Sequence, residues 1–113
     1  MHELSIVLSI VDSVEAEAKR RGANEVRRIE LDIGNLAGIE FDSFDFAWEP
    51  ATKNTILERA ERIINHIPGI ALCVECGKEF EKEKAFDPCP KCNNYLHQLI
   101  SGKELKIKSL TIN

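Results

Sequence analysis

Residues 73–92 read CVECGKEFEKEKAFDPCPKC and hold all four cysteines of the 113-residue chain. They form two Cys-x-x-Cys pairs separated by twelve residues. Two such turns can direct four thiolates at one centre, and closed four-cysteine sites are typical of structural zinc. A redox role for one pair is the alternative, but two matched pairs disfavour it. The sequence therefore predicts a structural Zn(II) site formed by Cys73, Cys76, Cys89 and Cys92.

The segment around these cysteines, residues 70–102, is too short to bury a core large enough to fold alone, so metal binding must supply stability. We expect Phe80, Phe86 and Tyr95 to pack around the metal. His97 is expected to be packed or solvent-facing, because four cysteines already complete the coordination shell. The segment is slightly acidic, and four thiolates around zinc add negative charge, so nucleic acid is a poor partner for it.

The residues before the cysteine segment show the patterns of a helix and a strand. Residues 4–21 predict a helix that ends before Gly22, with an apolar stripe of Leu4, Val7, Leu8, Val11, Val14 and Ala18. Residues 26–34, VRRIELDIG, alternate apolar and polar side chains. This alternation predicts a half-buried strand with Ile29, Leu31 and Ile33 on one face.

A second helix and two more strands complete the pattern. The aromatic stretch FDSFDFAWEPATKNT predicts a helix, which Pro50 should kink or end near Glu49. Residues 58–67 favour a strand, although Arg62 stands where an apolar residue is expected. The alternating tail ELKIKSLTI predicts a last strand that returns to the first sheet.

These elements predict an α+β fold: a small antiparallel three-stranded sheet with two helices, plus an inserted zinc-ribbon-like module. The predicted domains are residues 1–69 with 103–113, and residues 70–102. The chain has a net charge of −4 and no apolar run of membrane-spanning length. Glu3 and Asp12 interrupt any signal-peptide pattern, so we expect a cytoplasmic protein whose thiols stay reduced and which binds neither membrane nor nucleic acid.

The first residues, MHE, suggest a second metal site. The α-amine of Met1, the backbone nitrogen of His2 and its imidazole can form fused chelate rings with three nitrogen donors in one plane. Such donor sets suit Ni(II) or Cu(II). Glu3 could add a carboxylate or orient the histidine. Because the amine and imidazole must lose protons to bind, affinity should weaken as pH falls. The alternative is an incidental histidine at a chain end.

The MHE start, the α/β region, the two cysteine pairs and the returning strand together resemble the HypA/HybF family of hydrogenase nickel-incorporation proteins. The resemblance includes LDIGNLAGIEFDSFDFAWE, residues 31–49. It implies a nickel metallochaperone whose nickel set is the Met1 amine, His2 and Glu3, with zinc in the four-cysteine site. A further carboxylate ligand of the family falls nearest Glu40, with Asp42 close by. The alternative for Glu40 is a carboxylate favoured by the dipole of a helix N-terminus.

The resemblance also implies partners: a HypB-type nickel-binding GTPase, the [NiFe]-hydrogenase large subunit and, for some members, urease maturation factors. We expect a monomer or weak homodimer, and His66 is expected to lie on the surface. No nucleophile–base motif or phosphate-binding glycine loop is evident, so the chain is predicted not to be an enzyme. A catalytic zinc would need an open coordination position, which four cysteines do not leave. The alternative function is a zinc-ribbon adaptor or regulator without nickel dependence.

Overall fold

The computed structural model describes residues 2–84 and 87–113. Its elements in chain order are α1 (His2–Arg20), β1 (Val26–Gly34), α2 (Phe41–Thr52), β2 (Glu61–Ile67), β3 (Gly69–Cys73), β4 (Glu79–Lys82), β5 (His97–Ser101) and β6 (Leu105–Ile112). The strands form two three-stranded sheets, ordered β2-β1-β6 and β4-β3-β5. The predicted α+β class, with two helices, a small three-stranded sheet and a zinc-ribbon-like module around the cysteines, is confirmed.

Helix α1 buries the stripe that its sequence predicts, with one exchange. Val7, Val11, Val14 and Ala18 are buried, whereas Leu8 is 47% exposed and Ile10 takes a buried place instead. Residues spaced three, four and seven positions apart share one side of a helix, and Leu8 falls at the edge of that side. The helix therefore packs through a stripe slightly rotated from the predicted one.

Strand β1 is the centre of the first sheet and follows its predicted alternation. Ile29, Leu31 and Ile33 are essentially fully buried. The strand is flanked by β2 on one side and β6 on the other. This central position explains why its apolar residues are the most completely buried of the sheet.

The two neighbours of β1 run in opposite directions. Arg28 donates to Glu61 and Asn65 donates to Asp32, and both pairs are 33 positions apart. Because this offset stays constant along the strands, β1 and β2 are parallel, with α2 as the helical crossover that such a pair needs.

The ends of β6 define the other pairing. The Gly34 amide donates to the Glu104 carbonyl, and the Asn113 amide donates to the Glu25 carbonyl. The start of one strand therefore lies at the end of the other. The antiparallel expectation holds for β1–β6, and the sheet as a whole is mixed.

Helix α2 continues past Pro50 to Thr52, although the sequence predicts an end or kink near Glu49. Pro50 stands in the last turn, so its missing N–H removes only one helical hydrogen bond. The turn beyond the proline still closes: the Thr52 hydroxyl donates to the Trp48 carbonyl at 2.8 Å, and the Lys53 amide donates to the Glu49 carbonyl at 3.1 Å. Because only the Phe46 carbonyl loses its partner within the helix, α2 tolerates the proline.

The chain packs into two compact units. The first comprises the residues up to Leu31, Ile39–Ile64 and Ile107–Asn113, and the second comprises Asp32–Gly38 and Asn65–Lys106. Strands β1, β2 and β6 each contribute residues to both units. The boundaries predicted at residues 69/70 and 102/103 stay a prediction.

The second sheet encloses a small core. Strand β3 lies between β4 and β5, antiparallel to both, with a register shift between Ile70 and Ala71. The buried residues of this core are Ala71, Cys73, Phe80 and Cys89. Phe80 therefore packs as predicted, but Tyr95 is 65% exposed and that expectation was wrong. Phe86, also expected near the metal, lies outside the described residues.

Neither helix in the described part of the chain combines the length and apolar character that a membrane crossing requires.

Candidate metal sites

The four cysteine sulfurs converge on one point. All four lie within 4.8 Å of one another. The sulfurs of Cys73 and Cys92 are 3.5 Å apart, and those of Cys76 and Cys89 are 3.6 Å apart. A tetrahedral ion with metal–sulfur bonds of about 2.3 Å, as in zinc–thiolate sites, separates its ligands by about 3.8 Å. The cluster thus has the dimensions of a closed four-thiolate metal site.

Each cysteine pair sits on a turn with its own set of backbone hydrogen bonds. In the first turn the Cys73 amide donates to the Lys78 carbonyl at 2.9 Å, and the Gly77 amide donates to the Cys73 carbonyl at 3.0 Å. Gly77 has φ +72°, a left-handed conformation that glycine adopts without steric cost. The turn brings the second cysteine of the pair back toward the first.

The second turn repeats this pattern at the same positions. The Cys89 amide donates to the Asn94 carbonyl at 2.9 Å, and the Asn93 amide donates to the Cys89 carbonyl at 2.8 Å. Asn93 has φ +59° and takes the place of glycine, because asparagine tolerates the left-handed region better than most residues. Each turn therefore holds two sulfurs with the same backbone hydrogen bonds, and the two turns together supply the four sulfurs of the site.

Backbone amides within these turns stabilise thiolates. The Cys76 amide lowers the pKa of Cys73. Burial raises the pKa of Cys89, but hydrogen bonds led by the Cys92 amide outweigh it and bring that pKa to about 7. Although the Asn94 amide acts to lower it, contact with the neighbouring sulfurs raises the pKa of Cys92 to about 12. Close thiols oppose one another's ionisation, and a bound dication removes that opposition.

His97 has partners other than the sulfurs. Its Nδ1 lies 2.9 Å from the Tyr95 carbonyl, which can only accept, so Nδ1 carries the proton. Its Nε2 then accepts from the Lys82 ammonium at 2.6 Å. The ring also packs edge-on against Phe80, with centroids 6.0 Å apart. His97 thus lies half-buried in the small core, in keeping with the packed alternative.

The N-terminal segment begins a helix. His2 is the first residue of α1 and is exposed, and Met1 lies outside the described residues. Glu3 is 8% exposed, and its carboxylate accepts a hydrogen bond from the Glu40 amide at 3.1 Å. That bond lowers the pKa of Glu3. The start of α1 is therefore held against the loop that leads into α2, 37 positions along the chain.

Glu40 caps the second helix. It is the N-cap residue of α2, and its exposed side chain accepts from the Asp42 amide at 2.9 Å. A carboxylate there satisfies an otherwise unpaired amide and interacts favourably with the helix dipole. The structural alternative for Glu40 is therefore present in the fold, and the Glu40 group that bonds to Glu3 is its backbone amide.

Among the residues that the structure describes, the four cysteines form a compact group of possible metal ligands, whereas the candidate ligands near the starts of α1 and α2 do not. Within residues 2–84 and 87–113, the four cysteines are the one group of three or more such side chains close enough to share an ion. His2, Glu3 and Glu40 do not form a second such group there. His66 is exposed on β2, as expected of a surface histidine.

Two features of these sites were not anticipated. The Glu3–Glu40 hydrogen bond joins residues far apart in sequence, and no local pattern signals it. The buried Lys82 had a signal: in EFEK it alternates with Phe80 and so falls on the same inward face of β4. Lysine is usually exposed, so its burial in this strand was not predicted.

The fold and site together define a small α+β protein with a four-thiolate metal centre and a histidine at the start of its first helix. The family model described as "Hydrogenase/urease nickel incorporation, metallochaperone, hypA" matches residues 1–112. The chain belongs to this HypA family, whose members are metallochaperones that act in nickel incorporation and hydrogenase maturation.

Named relatives and solved structures agree with this assignment. The hydrogenase maturation factors HypA of Parabacteroides distasonis and Geobacter metallireducens are 45% and 41% identical over 112 residues. The alignment covers 99% of this chain in both cases, and 97% and 99% of the relatives. The solution structure of the Ni metallochaperone HypA from Helicobacter pylori matches with a TM-score of 0.67 at 23% identity. It covers 97% of this chain and 96% of that chain, and shows a shared fold.

Proposed function

We propose that this chain binds Ni(II) at its N-terminus and delivers it for [NiFe]-hydrogenase maturation. The proposed nickel set is the Met1 amine, His2 and Glu3, with Glu40 as a further carboxylate. The observation that carries the proposal is the hydrogen bond from the Glu40 amide to the Glu3 carboxylate. It links the two segments that supply the candidate ligands, in a chain whose family incorporates nickel.

The start of a helix suits this chelate. The first amides of a helix have no acceptor within it, so the His2 nitrogen can bind a metal without breaking a helical bond. A dication at this end is opposed by the helix dipole. The carboxylates of Glu3, Glu40 and Asp42, all within the first turns of α1 and α2 or beside them, supply the compensating negative charge.

Zn(II) is the ion proposed for the four cysteines, in a structural role. Its support is the four-sulfur spacing and the two matched turns, which leave no ligand position for substrate. In this proposal residues 1–69 with 103–113 carry the nickel site, and residues 70–102 carry the zinc site.

The proposed partners follow from the family's role in hydrogenase maturation. They are a HypB-type nickel-binding GTPase and the [NiFe]-hydrogenase large subunit, with urease maturation factors as a further class. The reduced thiols that zinc requires place the protein in the cytoplasm in this proposal.

The test is a calorimetric titration of Ni(II) into three zinc-loaded proteins. The first has its native start, the second carries Gly-Ser before Met1, and the third is His2→Ala. The extension retains every side chain but converts the terminal amine to an amide. We expect Ni(II) to bind the native protein only, with zinc content equal in all three.

A fourth protein, Glu3→Gln, is titrated in the same way; it removes the negative charge of Glu3 and keeps the size of the side chain. Glutamine still offers an oxygen to the Glu40 amide, so the fold around it is retained. Weaker nickel binding in this variant supports the carboxylate as a ligand or charge partner. Equal nickel binding by the native and extended proteins would overturn the terminal chelate. Absence of binding in all of them would overturn the nickel proposal and favour a zinc-ribbon adaptor.

A further inference from the structure

An apolar groove lies between the outer surfaces of α1 and α2, next to the N-terminus. Phe46 is 84% exposed, the highest exposure recorded among the large apolar side chains of the described residues. The adjoining cavity of about 450 Å³ is lined by Leu4, Phe46, Ala47 and Pro50, and by the acidic Glu3 and Asp42. The lining is mainly apolar, and it lies within the first unit.

Among the described residues, Phe46 contributes little to the core. Phe44, two residues earlier, is fully buried and serves the core of α2. Phe46 points away from that core and carries a large ring into water, where it gains none of the free energy of burial. Exposed apolar grooves rimmed by polar groups are common at sites of protein–protein contact.

The charges around Phe46 indicate the chemistry of what covers it. Asp42 is four residues before Phe46 and Glu49 three residues after, so both carboxylates flank it on the same side of α2. Helix α2 contains no lysine or arginine. The exposed carboxylates of Asp42 and Glu49 make the surroundings of Phe46 acidic, so a complementary surface is basic.

We infer that this groove binds a segment of a partner protein in which lysine or arginine flanks a bulky apolar side chain. The inference rests on the proposed function in one respect: the partner is the protein that receives nickel, because the groove adjoins Glu3. The apolar side chain fills the groove beside Phe46. The flanking cations lie against Asp42 and Glu49.

A second copy of the chain fits the groove less well. One basic run, Lys19 to Arg21, has Arg20 and Arg21 paired with Glu17, and Ala18 beside them is buried. A second basic run, on β6, has Lys106 and Lys108 near the 42% exposed Leu105, and Lys108 is paired with Glu30. The first run offers cations without an apolar anchor, and in the second one of the two lysines is already paired within its own chain. The net charge of −4 also makes two copies repel.

The test uses two synthetic helical peptides, each with a Leu-Phe centre, one flanked by lysines and the other by glutamates. Each is titrated to about 1 mM into zinc-loaded, nickel-free protein, and backbone amide NMR shifts are recorded. We expect the lysine peptide alone to bind, to shift the resonances of residues 42–50, and to weaken as salt is raised.

The affinity for the lysine peptide is then compared among three variants. Phe46→Ser and Glu49→Lys should each weaken lysine-peptide binding about tenfold or more. Tyr95→Ser, which removes an aromatic side chain that is 65% exposed in the other unit, should leave it unchanged. Calorimetric Ni(II) titration of Phe46→Ser should match the unchanged protein, so loss of docking is separable from loss of nickel binding.

Several results would overturn the inference. These are no binding of the lysine peptide, equal binding of both peptides, or equal affinity in Phe46→Ser. Sedimentation that shows a dimer of the unchanged protein which Phe46→Ser abolishes would assign the groove to a second copy instead. If the unchanged protein binds the lysine peptide but not nickel, the groove is still a docking site, and only the proposed function is overturned.

Discussion

Arg62 occupies a position on β2 where the strand pattern favours an apolar residue, and its surroundings explain why it is tolerated. Its guanidinium carbon lies 5.0 Å from the centre of the Trp48 ring and 5.7 Å from that of Phe44. Asp45 accepts from it at 2.7 Å. The flat group therefore packs like an aromatic side chain while its charge is paired.

Arg62→Lys should destabilise the protein by about 1 kcal/mol, because a compact ammonium cannot stack on two rings. The Arg28→Lys variant is the matched control: Arg28 forms an exposed pair with Glu61, which either cation can make, and should change stability little. Urea unfolding followed by the fluorescence of Trp48, the single tryptophan, measures both. Equal midpoints for the two variants would contradict the stacking argument.

Gly34 ends β1 where another stretch of backbone passes very close. A Cβ built on Gly34 would stand 1.9 Å from the Gly102 carbonyl oxygen. The neighbouring Leu36 amide donates to that same carbonyl at 2.7 Å, so the two stretches cannot move apart without losing a hydrogen bond. Gly34 is required by space, not by an unusual φ.

Gly34→Ala should lower the free energy of unfolding by about 3 kcal/mol through this overlap. Gly38→Ala makes the same chemical change in open space, at φ +78°, and should cost about 1 kcal/mol. Urea unfolding monitored by circular dichroism compares them. A larger loss for Gly38→Ala would show that backbone conformation, not close approach, dominates in this loop.

At the scale of elements, α1 is stabilised at its C-terminal end by an ion-pair cluster. Glu17 pairs with Arg20, and with Arg21 at 2.6 Å. The bond from the Arg21 side chain is the main reason that the pKa of Glu17 lies below its ordinary value of 4.5. The two arginines also place positive charge at the end of the helix where the dipole is negative.

A carboxyl whose pKa is lowered on folding adds stability above its unfolded pKa, and this stability is lost as pH falls through the folded value. Glu17→Gln should therefore lower the melting temperature at pH 7, and the difference from the unchanged protein should shrink toward zero well below pH 4.5. Glu15→Gln, on an exposed position of the same helix, is the control. Thermal melts across this pH range provide the measurement, and a difference that persists at low pH would contradict the ion-pair explanation.

At the scale of the whole molecule, the two units differ in what holds them together. The first buries Val7, Val14, Ile29, Leu31 and Phe44. The second has the small core formed by Ala71, Cys73, Phe80 and Cys89. Ile33 adds one further buried side chain to this unit. We expect so small a core to fall short of offsetting the entropy of ordering the sheet, and a bound metal to contribute the difference.

With Zn(II) as the proposed ion, its removal by a chelator should unfold the sheet β4-β3-β5 and leave the helices of the first unit folded. Amide NMR signals of Gly69–Cys73 and His97–Ser101 should collapse, while those of α1 and α2 remain and the lost signals return when zinc is added. Cys89→Ser should resemble the metal-free protein, and Tyr95→Ser should not. Persistence of the second sheet after chelation would contradict a structural role for the metal.

Elements and the cysteine centre were largely predictable from sequence because their signals are local. Alternation in residues 26–34 placed β1 at its observed bounds, and the two cysteine pairs identified the four sulfurs that the fold brings together. The end of α2 was not predictable from Pro50 alone. Pro50 removes only the bond to the Phe46 carbonyl, and the turn beyond it still closes through the Thr52 hydroxyl and the Lys53 amide.

By itself, the sequence determined the α+β class, the buried face of β1, most of the buried stripe of α1 and the four cysteine ligands, because periodicity and ligand spacing act over a few residues. Only the tertiary structure decided that β1 and β2 run parallel, that Arg62 stacks on aromatic rings, and that the Glu3 carboxylate bonds to the Glu40 amide. These features depend on contacts between residues 14 to 37 positions apart. Such contacts are set by the packing of whole elements, which no local pattern specifies.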